Sequence, residues 1–541
     1  MRLVSPGKRH APRLLDLSFI LTSLLTITLL TSPTVAAASY ADTVRFLEQS
    51  TFGPTPELIS HVQGIGFPAF LQEQFNAPVS GYPDLPFMPE KPSGECKRNQ
   101  ACLRDHYTMY PLQTRFFRNA LYERDQLRQR MAFALSQIVV VSGREITLPS
   151  RMVHYLQTID RHAFGNYRQL LYEITRNPAM GDYLDVVNNS KARPNENYAR
   201  EFLQLFSIGS YLLNPDGTPQ LDAQGNFIPA FDEDTVAALA RVFTGWKFAR
   251  PPAAKLVNYR DLMIASEAHH HIGTKTLLNG VVLPAKQKTD RDLQDALDNI
   301  INHPNVAPFI CKQLIQHLVT SNPRPAYVAR VAAVFVNHRN SATQLREVVA
   351  AILLDTEARG DVKIDPDYGH LREPVQFMTN ILRAFNARSA DGGGQSDGYL
   401  NPESEAMGQD LFRAPSVFGH YRPDYEVPGT NILGPKFELL STLTAIKRAN
   451  FVNTVVFSRI AIGPNAPAGT SLDLSGLVML ADNPAELIQA LNRLLLHGAM
   501  PEQMRDQIAQ SVTQIPHEER LLRAQTALYL FATSSQYQVE R

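Results

Sequence analysis

The sequence has 541 residues, of which 44% are hydrophobic and 19% are charged, a balance typical of folded globular proteins. Lysine and arginine together number 52, as do aspartate and glutamate, so the net charge gives no reason to expect a nucleic acid or an anionic membrane as partner. We therefore predict a large folded protein that binds no nucleic acid.

The segment 1–38 has the pattern of a secretory signal peptide. Four basic residues precede a short apolar run at 17–30, and small residues follow at 36–38. The apolar run is shorter than the about 20 residues that a membrane-spanning helix needs. We predict cleavage near Ala38, a periplasmic or secreted location, and no membrane span after cleavage.

Helical periodicity dominates the rest of the chain. Apolar residues recur at helical spacing in 41–77, from Tyr122 to Val141 and in most later segments. The segment 212–231 differs, because Asp-Gly and Gln-Gly-Asn turn signals there predict a small β-hairpin. The pattern predicts a mainly α fold: a large multi-helix globular body with a small β-hairpin excursion and long ordered loops.

The domain organisation follows from one hinge-like stretch, GPNAPAG, that starts at Gly463. We predict a main helical domain at 39–460, which carries the hairpin as an insertion. The C-terminal helical segment at 461–541 is expected to pack on the main domain or to continue it.

The segment PNENYAREFLQLFSIG, from Pro194 to Gly209, is predicted to form a central helix. Asn195 is a favourable N-cap, and Gly209 favours the end of the helix. One face is aromatic and apolar, and the opposite face is polar. Because the apolar face is expected to be buried, the polar face must find partners or a cavity.

The three cysteines indicate no haem site. Cys96 and Cys102 lie in the loop GECKRNQAC, where an oxidising compartment would allow a small disulfide loop. Cys311 lies in an apolar helical pattern and is predicted to be a buried thiol. No Cys-x-x-Cys-His sequence is present, so we expect no c-type haem.

A series of sequence blocks supports a family resemblance. The blocks are, in chain order, FLEQSTFGPTPELI, NPAMGDYL, NENYAREFLQLFSIG, DEDTVAALARVFTGW, HHIGTKTLLNG, NHPNVAPFICKQLIQHLVTSNPRPAYVARVAAVF, LREPVQFMTNILRAFNA, APSVFGHYRPDY and SSQYQVER. Together they resemble the bacterial family catalogued as domain of unknown function 1800, over nearly the whole mature chain. The resemblance implies an exported, mainly helical protein.

The resemblance also implies a partner and shows one departure. Members of the family are often encoded beside a second exported family, domain of unknown function 1501, which resembles alkaline-phosphatase-like enzymes. A co-exported protein of that family is therefore an expected partner. The family usually has His-Asp before its Gly-x-Lys; here His270 matches the histidine, but His271 replaces the aspartate. A site that needs this carboxylate would be altered.

The first candidate site combines Asn197, Arg200 and Glu201 of the central helix with Arg241 of the next helix. Glu201 could act as a general base or a metal ligand, and the two arginines could hold an anion. The alternative is a buried Arg–Glu network that only joins two helices.

The second candidate is the run His269, His270 and His271, because neutral imidazole is a common ligand of transition metals. In an extended segment His269 and His271 would point the same way, towards Glu201 or Asp234. A divalent metal is therefore possible, but a solvated or loop-packing histidine run fits the same sequence.

Two further segments are candidate binding sites. Lys275 follows Gly-Thr as in phosphate-binding loops, but the spacing of a P-loop is missing, so we expect no nucleotide. His420 and Tyr421 lie in an aromatic, proline-rich loop, which could line a sugar- or peptide-binding cleft or form a packed lid.

Two functions remain open from the sequence. We favour a helical scaffold or binding protein that acts with a co-exported partner. The alternative is a hydrolase-like enzyme with a polar, metal-assisted site between helices 195–208 and 233–244.

Overall fold

The computed structural model of the protein describes residues 38–254, 256–360, 363 and 365–541. The predicted signal peptide lies outside them except for its last residue. Twenty-three α-helices and six two-residue strands occur in the described part, which confirms the mainly α fold. The helices are α1 (Tyr40–Ser50), α2 (Pro56–Ile65), α3 (Phe67–Asn76), α4 (Gln100–Tyr107), α5 (Tyr110–Tyr122), α6 (Gln126–Ile138), α7 (Pro149–His162), α8 (Tyr167–Arg176), α9 (Pro178–Tyr183), α10 (Asn197–Gln204), α11 (Glu233–Val242), α12 (Thr289–Ile301), α13 (Val306–Leu318), α14 (Pro325–Asn337), α15 (Gln344–Leu354), α16 (Pro374–Ala384), α17 (Asn401–Ala406), α18 (Thr442–Phe457), α19 (Ser475–Leu480), α20 (Pro484–Leu496), α21 (Glu502–Thr513), α22 (Arg520–Ala532) and α23 (Ser535–Gln538).

The strands form three antiparallel pairs, β1 with β2, β3 with β4 and β5 with β6. In the last pair, His370 lies opposite Glu540, so the end of the chain is joined to the segment before α16. The strands are β1 (Trp246–Lys247), β2 (Ile264–Ala265), β3 (Lys275–Thr276), β4 (Val282–Leu283), β5 (His370–Leu371) and β6 (Val539–Glu540).

The β excursion after α10 contains three short extended runs. Backbone N–H groups join the runs in a cycle: Leu212 donates to Ile228 (2.8 Å), Ile228 to Gln220 (3.2 Å) and Gln220 to Leu212 (2.8 Å). Asn305, just before α13, donates from its side chain to the carbonyl of Tyr211 at 2.8 Å. The excursion is thereby fixed against the start of α13.

The central helix α10 is shorter than predicted. The N-cap position is held by Glu196 rather than by Asn195 as predicted, although the side chain of Asn195 accepts a hydrogen bond from the backbone of Asn197 (2.9 Å). The helix ends at Gln204, and the chain reaches Gly209 through turns. Gly209 has φ +76°, and a Cβ there would lie 2.8 Å from the ring of Phe309, so a larger residue would be strained.

Two hydrophobic clusters of buried residues make up the core. The first is drawn from residues 44–368, and the second mainly from residues 375–537. Helix α13 belongs to the first cluster and packs against both α6 and α14. This places the polar residues of α13 between the core and the loops that follow α17.

Two further predictions concern the membrane and the cysteines. Within the described ranges, no helix has the length and apolar character that crossing a bilayer requires. Cys96 and Cys102 are joined by a disulfide, and Cys311 is a buried free thiol.

Candidate functional site

The polar face of α10 lies at the protein surface rather than in a cavity. Arg200 forms ion pairs with Glu233 at 2.7 Å and with Glu196 at 3.3 Å, and its side chain is 37% exposed. Asn197 donates to Asp185 at 3.1 Å and is exposed. These contacts connect the starts of α10 and α11 and leave no enclosed site around Arg200.

Glu201 is the member of the first candidate site that has an acceptor atom free for a ligand. Its side chain is half-buried, and Oε2 has no hydrogen-bond partner among the described residues. Burial raises the pKa of Glu201, although the charge of Arg200 opposes the shift. Arg200 pairs with other carboxylates. Arg241 lies near His271, whose pKa is lowered first by burial, then by the charge of Lys275 and then by the charge of Arg241.

The three consecutive histidines do not converge. His269 is exposed and contacts Ser266 at 2.8 Å through Nδ1, whereas His270 is fully buried and His271 is half-buried. In the part of the chain that the structure describes, no group of three or more His, Cys, Asp and Glu residues is placed to hold a metal ion. The histidine run therefore supplies no ready set of ligands.

His270 and Lys275 belong to one closed polar cluster with Asp292. His270 Nε2 lies 2.8 Å from Asp292 Oδ2, and its Nδ1 lies 2.8 Å from the carbonyl oxygen of Thr244. Lys275 Nζ lies 2.5 Å from Asp292 Oδ2 and donates to the carbonyl of His271 at 2.6 Å. Both imidazole nitrogens and the ammonium group are occupied, so this cluster fixes the loop on α12.

His420 and Tyr421 line the small end cavity of a groove beside α13. The groove has a volume of about 190 Å³ and continues into a smaller end cavity of about 20 Å³. The two share four lining residues, which makes them one continuous depression. The groove is lined by Gln137, Ile138, Gln204, Leu205, Gly209, Ser210, Tyr211, Leu213, Pro219, Phe309, Gln313, Val417, Phe418, Pro423 and Asp424, and the end cavity by Gln137, Gln313, Gln316, His317, Phe418, His420, Tyr421, Pro423 and Pro435.

The lining is largely apolar, and its polar groups are almost free of formal charge. Of the described residues that line the groove and its end cavity, only Asp424 is an acid, and none is a lysine or an arginine. Burial, followed by the charge of Lys436, lowers the pKa of His317 to about 3, so this imidazole is neutral at physiological pH. Burial also lowers the pKa of His420, whose Nε2 lies 2.9 Å from the carbonyl oxygen of Asp410.

Behind the end cavity lies a buried charged layer. The hydroxyl of Tyr421 is 3.3 Å from both His317 Nδ1 and Glu373 Oε2. Lys436 Nζ lies 3.6 Å from Glu373 Oε1 and donates to Gln376 at 2.9 Å. Burial alone would raise the pKa of Glu373, but the charge of Lys436 and other donors hold it below its usual value.

The charged layer continues through the protein to α1. His370 Nε2 lies 3.2 Å from Glu540 Oε2. Arg372 Nη2 donates to both carboxylate oxygens of Glu48 at 2.8 Å, and His497 Nε2 lies 2.7 Å from the same carboxylate. Glu48 follows Leu47 of the first hydrophobic cluster and His497 follows Leu496 of the second, so this contact joins the two halves of the core.

The sequence analysis missed Gln313, His317, Glu373 and Lys436. Gln313 and His317 are four residues apart in the apolar pattern VAPFICKQLIQHLV, a spacing that places both on one face of α13. That spacing was a usable signal. Glu373 and Lys436 lie in separate segments, and no local pattern relates them.

Together, the fold and the groove define a helical protein with a concave, largely apolar site that carries a few polar groups and one acid, Asp424, among its described lining residues. A family model described as "Protein of unknown function (DUF1800)" matches residues 45–539. The chain therefore belongs to this family, as the ordered sequence blocks predicted. No curated protein and no solved structure matches it.

Proposed function

We propose that the protein is an exported helical binding protein that holds an uncharged, hydroxyl-rich ligand, such as a segment of a glycan, in the groove beside α13. The observation that carries this proposal is the composition of the groove. Apolar and aromatic side chains form most of the lining, and the polar groups among them are neutral donors and acceptors except for Asp424. The buried charges of Glu373 and Lys436 lie behind the end cavity and are paired with each other.

The side chains of the groove suit a sugar chain. Glutamine amides supply both donors and acceptors, which match the hydroxyl groups of a carbohydrate. The rings of Tyr211, Phe309 and Phe418 line the same groove and offer flat apolar faces on which sugar rings pack. A strongly charged ligand would find no lysine or arginine in the described lining.

The groove favours binding over acid–base catalysis. An efficient general base has a pKa near the working pH. The pKa of His317 is about 3, and that of Tyr421 is raised far above its ordinary value by burial and by Glu373. Neither group exchanges protons readily near neutral pH, but both form hydrogen bonds there.

Export and a partner complete the proposal. The signal-like segment 1–38 supports passage to the periplasm or the exterior. The family resemblance supports joint action with a co-exported protein of the family domain of unknown function 1501.

Isothermal titration calorimetry tests the binding function. The mature protein, 39–541, is titrated with short neutral oligosaccharides based on glucose, xylose, mannose and N-acetylglucosamine, and with acidic oligosaccharides and uncharged peptides for comparison. We expect a neutral sugar to bind, and Phe418→Ala to weaken that binding at least about tenfold because a stacking face is lost. The matched control is Phe457→Ala, on the surface of α18.

Three results would contradict the proposal. Failure of every neutral sugar to bind would do so, and so would equal affinity of the wild type and Phe418→Ala. Preference for the peptides would identify the groove as a peptide site instead.

A hydrolase-like function is the second candidate, because Glu201 is half-buried with one unpartnered oxygen and a raised pKa. Raised carboxyl pKa values are typical of general acids and bases. Chromogenic glycosides, esters and phosphate esters test it. Turnover that is lost in Glu201→Gln and kept in Glu196→Gln would support this function. If the wild type turns over none of these substrates, these reactions are excluded.

A further inference from the structure

The end cavity of the groove has room for a single small group. Its volume is about 20 Å³, and a cavity of about 10–15 Å³ by this measure holds one water molecule. A sugar ring is too large to enter it. A hydroxyl group that projects from a sugar in the wider groove fits.

Gln313 provides an unused donor in this cavity. The residue is only 7% exposed, and its Nε2 has no hydrogen-bond partner among the described residues. Buried amide donors without a partner are rare and costly, so such a group indicates a ligand atom or an ordered water. Gln313 lines both the groove and its end cavity, which places the unused donor where the two meet.

His317 provides an acceptor one helical turn away. Its Nδ1 contacts the hydroxyl of Tyr421, whereas its Nε2 makes no hydrogen bond within the described ranges. The carboxylate of Glu373 can only accept, so the Tyr421 hydroxyl donates to it. The Tyr421 oxygen then accepts from Nδ1–H of His317, and Nε2 keeps its lone pair. This tautomer is assigned from the hydrogen-bond partners of the three groups.

We infer that the end cavity is a subsite for one hydroxyl group of the bound ligand, which donates to His317 Nε2 and accepts from Gln313 Nε2. Tyr421 and Glu373 are positioning residues, because they fix the tautomer of His317 and need not touch the ligand. The inference rests on the proposed function and adds to it the group by which the ligand is recognised.

The subsite predicts which ligands are rejected. A hydroxyl group is both donor and acceptor, so it satisfies both side chains. An O-methyl group cannot donate a hydrogen bond and is too large for the cavity. A ligand with a hydrogen atom in place of the hydroxyl group leaves the side chains of Gln313 and His317 without partners. Sites built around a hydroxyl group reject analogues that lack it strongly, because buried polar groups are then left without partners.

The first experiment is NMR of protein labelled with ¹⁵N-histidine, which needs no ligand. The His317 signals are identified by their absence in His317→Gln. We expect Nδ1 to carry the proton at neutral pH, and Tyr421→Phe to shift the proton towards Nε2. A proton on Nε2 in the wild type would overturn the inference and leave binding in the groove untouched.

The second experiment adds the sugars. Cellotetraose, xylotetraose and mannotetraose are each titrated beside forms whose terminal hydroxyl groups are O-methylated. We expect the His317 Nε2 signal to move only with a free hydroxyl, and His317→Gln and Gln313→Leu each to weaken binding at least about tenfold. The control His154→Gln changes a buried histidine outside the groove and its end cavity and should leave the affinity unchanged.

The remaining outcomes separate the two proposals. If a sugar binds but the Nε2 signal stays fixed, the cavity holds a structural water only and the subsite is refuted. If the methylated forms bind equally well, the subsite is refuted, but the proposal that the groove binds a sugar is unaffected. If no sugar binds, the proposed function fails and the subsite fails with it.

Discussion

Two buried histidines, His270 and His317, lie near carboxylates in very different surroundings. His270 uses both ring nitrogens, one with Asp292 and one with a backbone carbonyl. His317 uses one nitrogen with Tyr421 and leaves the other facing the end cavity. The closed cluster around His270 has no ring nitrogen left for a ligand, whereas His317 has one.

The comparison shows that burial and charge alone do not indicate function. Lys275 and Asp292 are as deeply buried as any pair in the described residues, but Lys275, His270 and Gln287 all bond to the carboxylate of Asp292. What distinguishes the groove is a set of buried amide atoms without hydrogen-bond partners among the described residues, Nε2 of Gln313 and both Nε2 and Oε1 of Gln137, whose side chains line the end cavity. Four substitutions test this distinction.

The largest effect on stability is expected from Asp292→Asn in the closed cluster. The substitution leaves Lys275 buried without a counter-charge, which typically costs about 3–5 kcal/mol. Urea denaturation measures the loss in the free energy of unfolding. Asp290→Asn, an exposed position on the same helix, is the matched control. A loss below about 1 kcal/mol, the range of exposed pairs, would mean that the closed cluster is not a structural support.

The next effect is a pH dependence that comes from His317. The unfolded histidine has a pKa of 6.5 and the folded one of about 3, so acidification between these values protonates the unfolded chain first and lowers stability. Each pH unit lowers the free energy of unfolding by about 1.4 kcal/mol. Between pH 6.5 and 4.5, the free energy of unfolding of His317→Gln should therefore fall by about 2–3 kcal/mol less than that of the wild type. Denaturation at both pH values measures this difference. His269→Gln should behave like the wild type, and identical losses in His317→Gln would refute the depressed pKa.

Tyr421→Phe is expected to have a smaller effect on stability than on binding. The loss of one buried hydroxyl costs about 1 kcal/mol in a typical protein. Binding of a neutral sugar should weaken more, because the tautomer of His317 is no longer fixed. The control is Tyr425→Phe in the same loop. Unchanged binding by Tyr421→Phe would remove Tyr421 from the site.

The smallest effect is expected from Arg200→Ala. Exposed ion pairs contribute little, so Tm should shift by less than about 2 °C. Sugar binding should not change, because Arg200 does not line the groove. A large loss of binding or activity in Arg200→Ala would show that the polar face of α10 is a functional site after all.

Local signals predicted much of the fold. Helix α11 begins at Glu233, as predicted, and Asp232 caps it by accepting a hydrogen bond from the backbone of Thr235 (2.8 Å). The helical pattern from Tyr122 to Val141 corresponds to the shorter α6, because Tyr122 is the last residue of α5 and residues 123–125 separate the two helices. The side chain of Gln126 bonds to the carbonyl of Glu123 at this break, a contact that apolar periodicity does not report.

The site was only partly predictable, for a physical reason. His420 and Tyr421 stood out because an aromatic, proline-rich loop is a recognisable local feature. The charged layer behind them is assembled from Glu48, Glu373, Lys436 and Glu540, which are far apart in sequence and fully buried. Only the tertiary fold brings such distant charges together.

The cycle of hydrogen bonds in the β excursion limits how a ligand can be held. Leu212, Gln220 and Ile228 use both their N–H and C=O groups within the cycle. Two neighbours of these residues line the groove: Leu213, whose N–H and C=O bond to the side chains of Asn305 and Gln220, and Pro219, which has no N–H. At these two positions an extended peptide therefore finds no free N–H group to which it could add as a further strand. Side chains must recognise a molecule held there, as the proposed sugar ligand, which has no peptide backbone, requires.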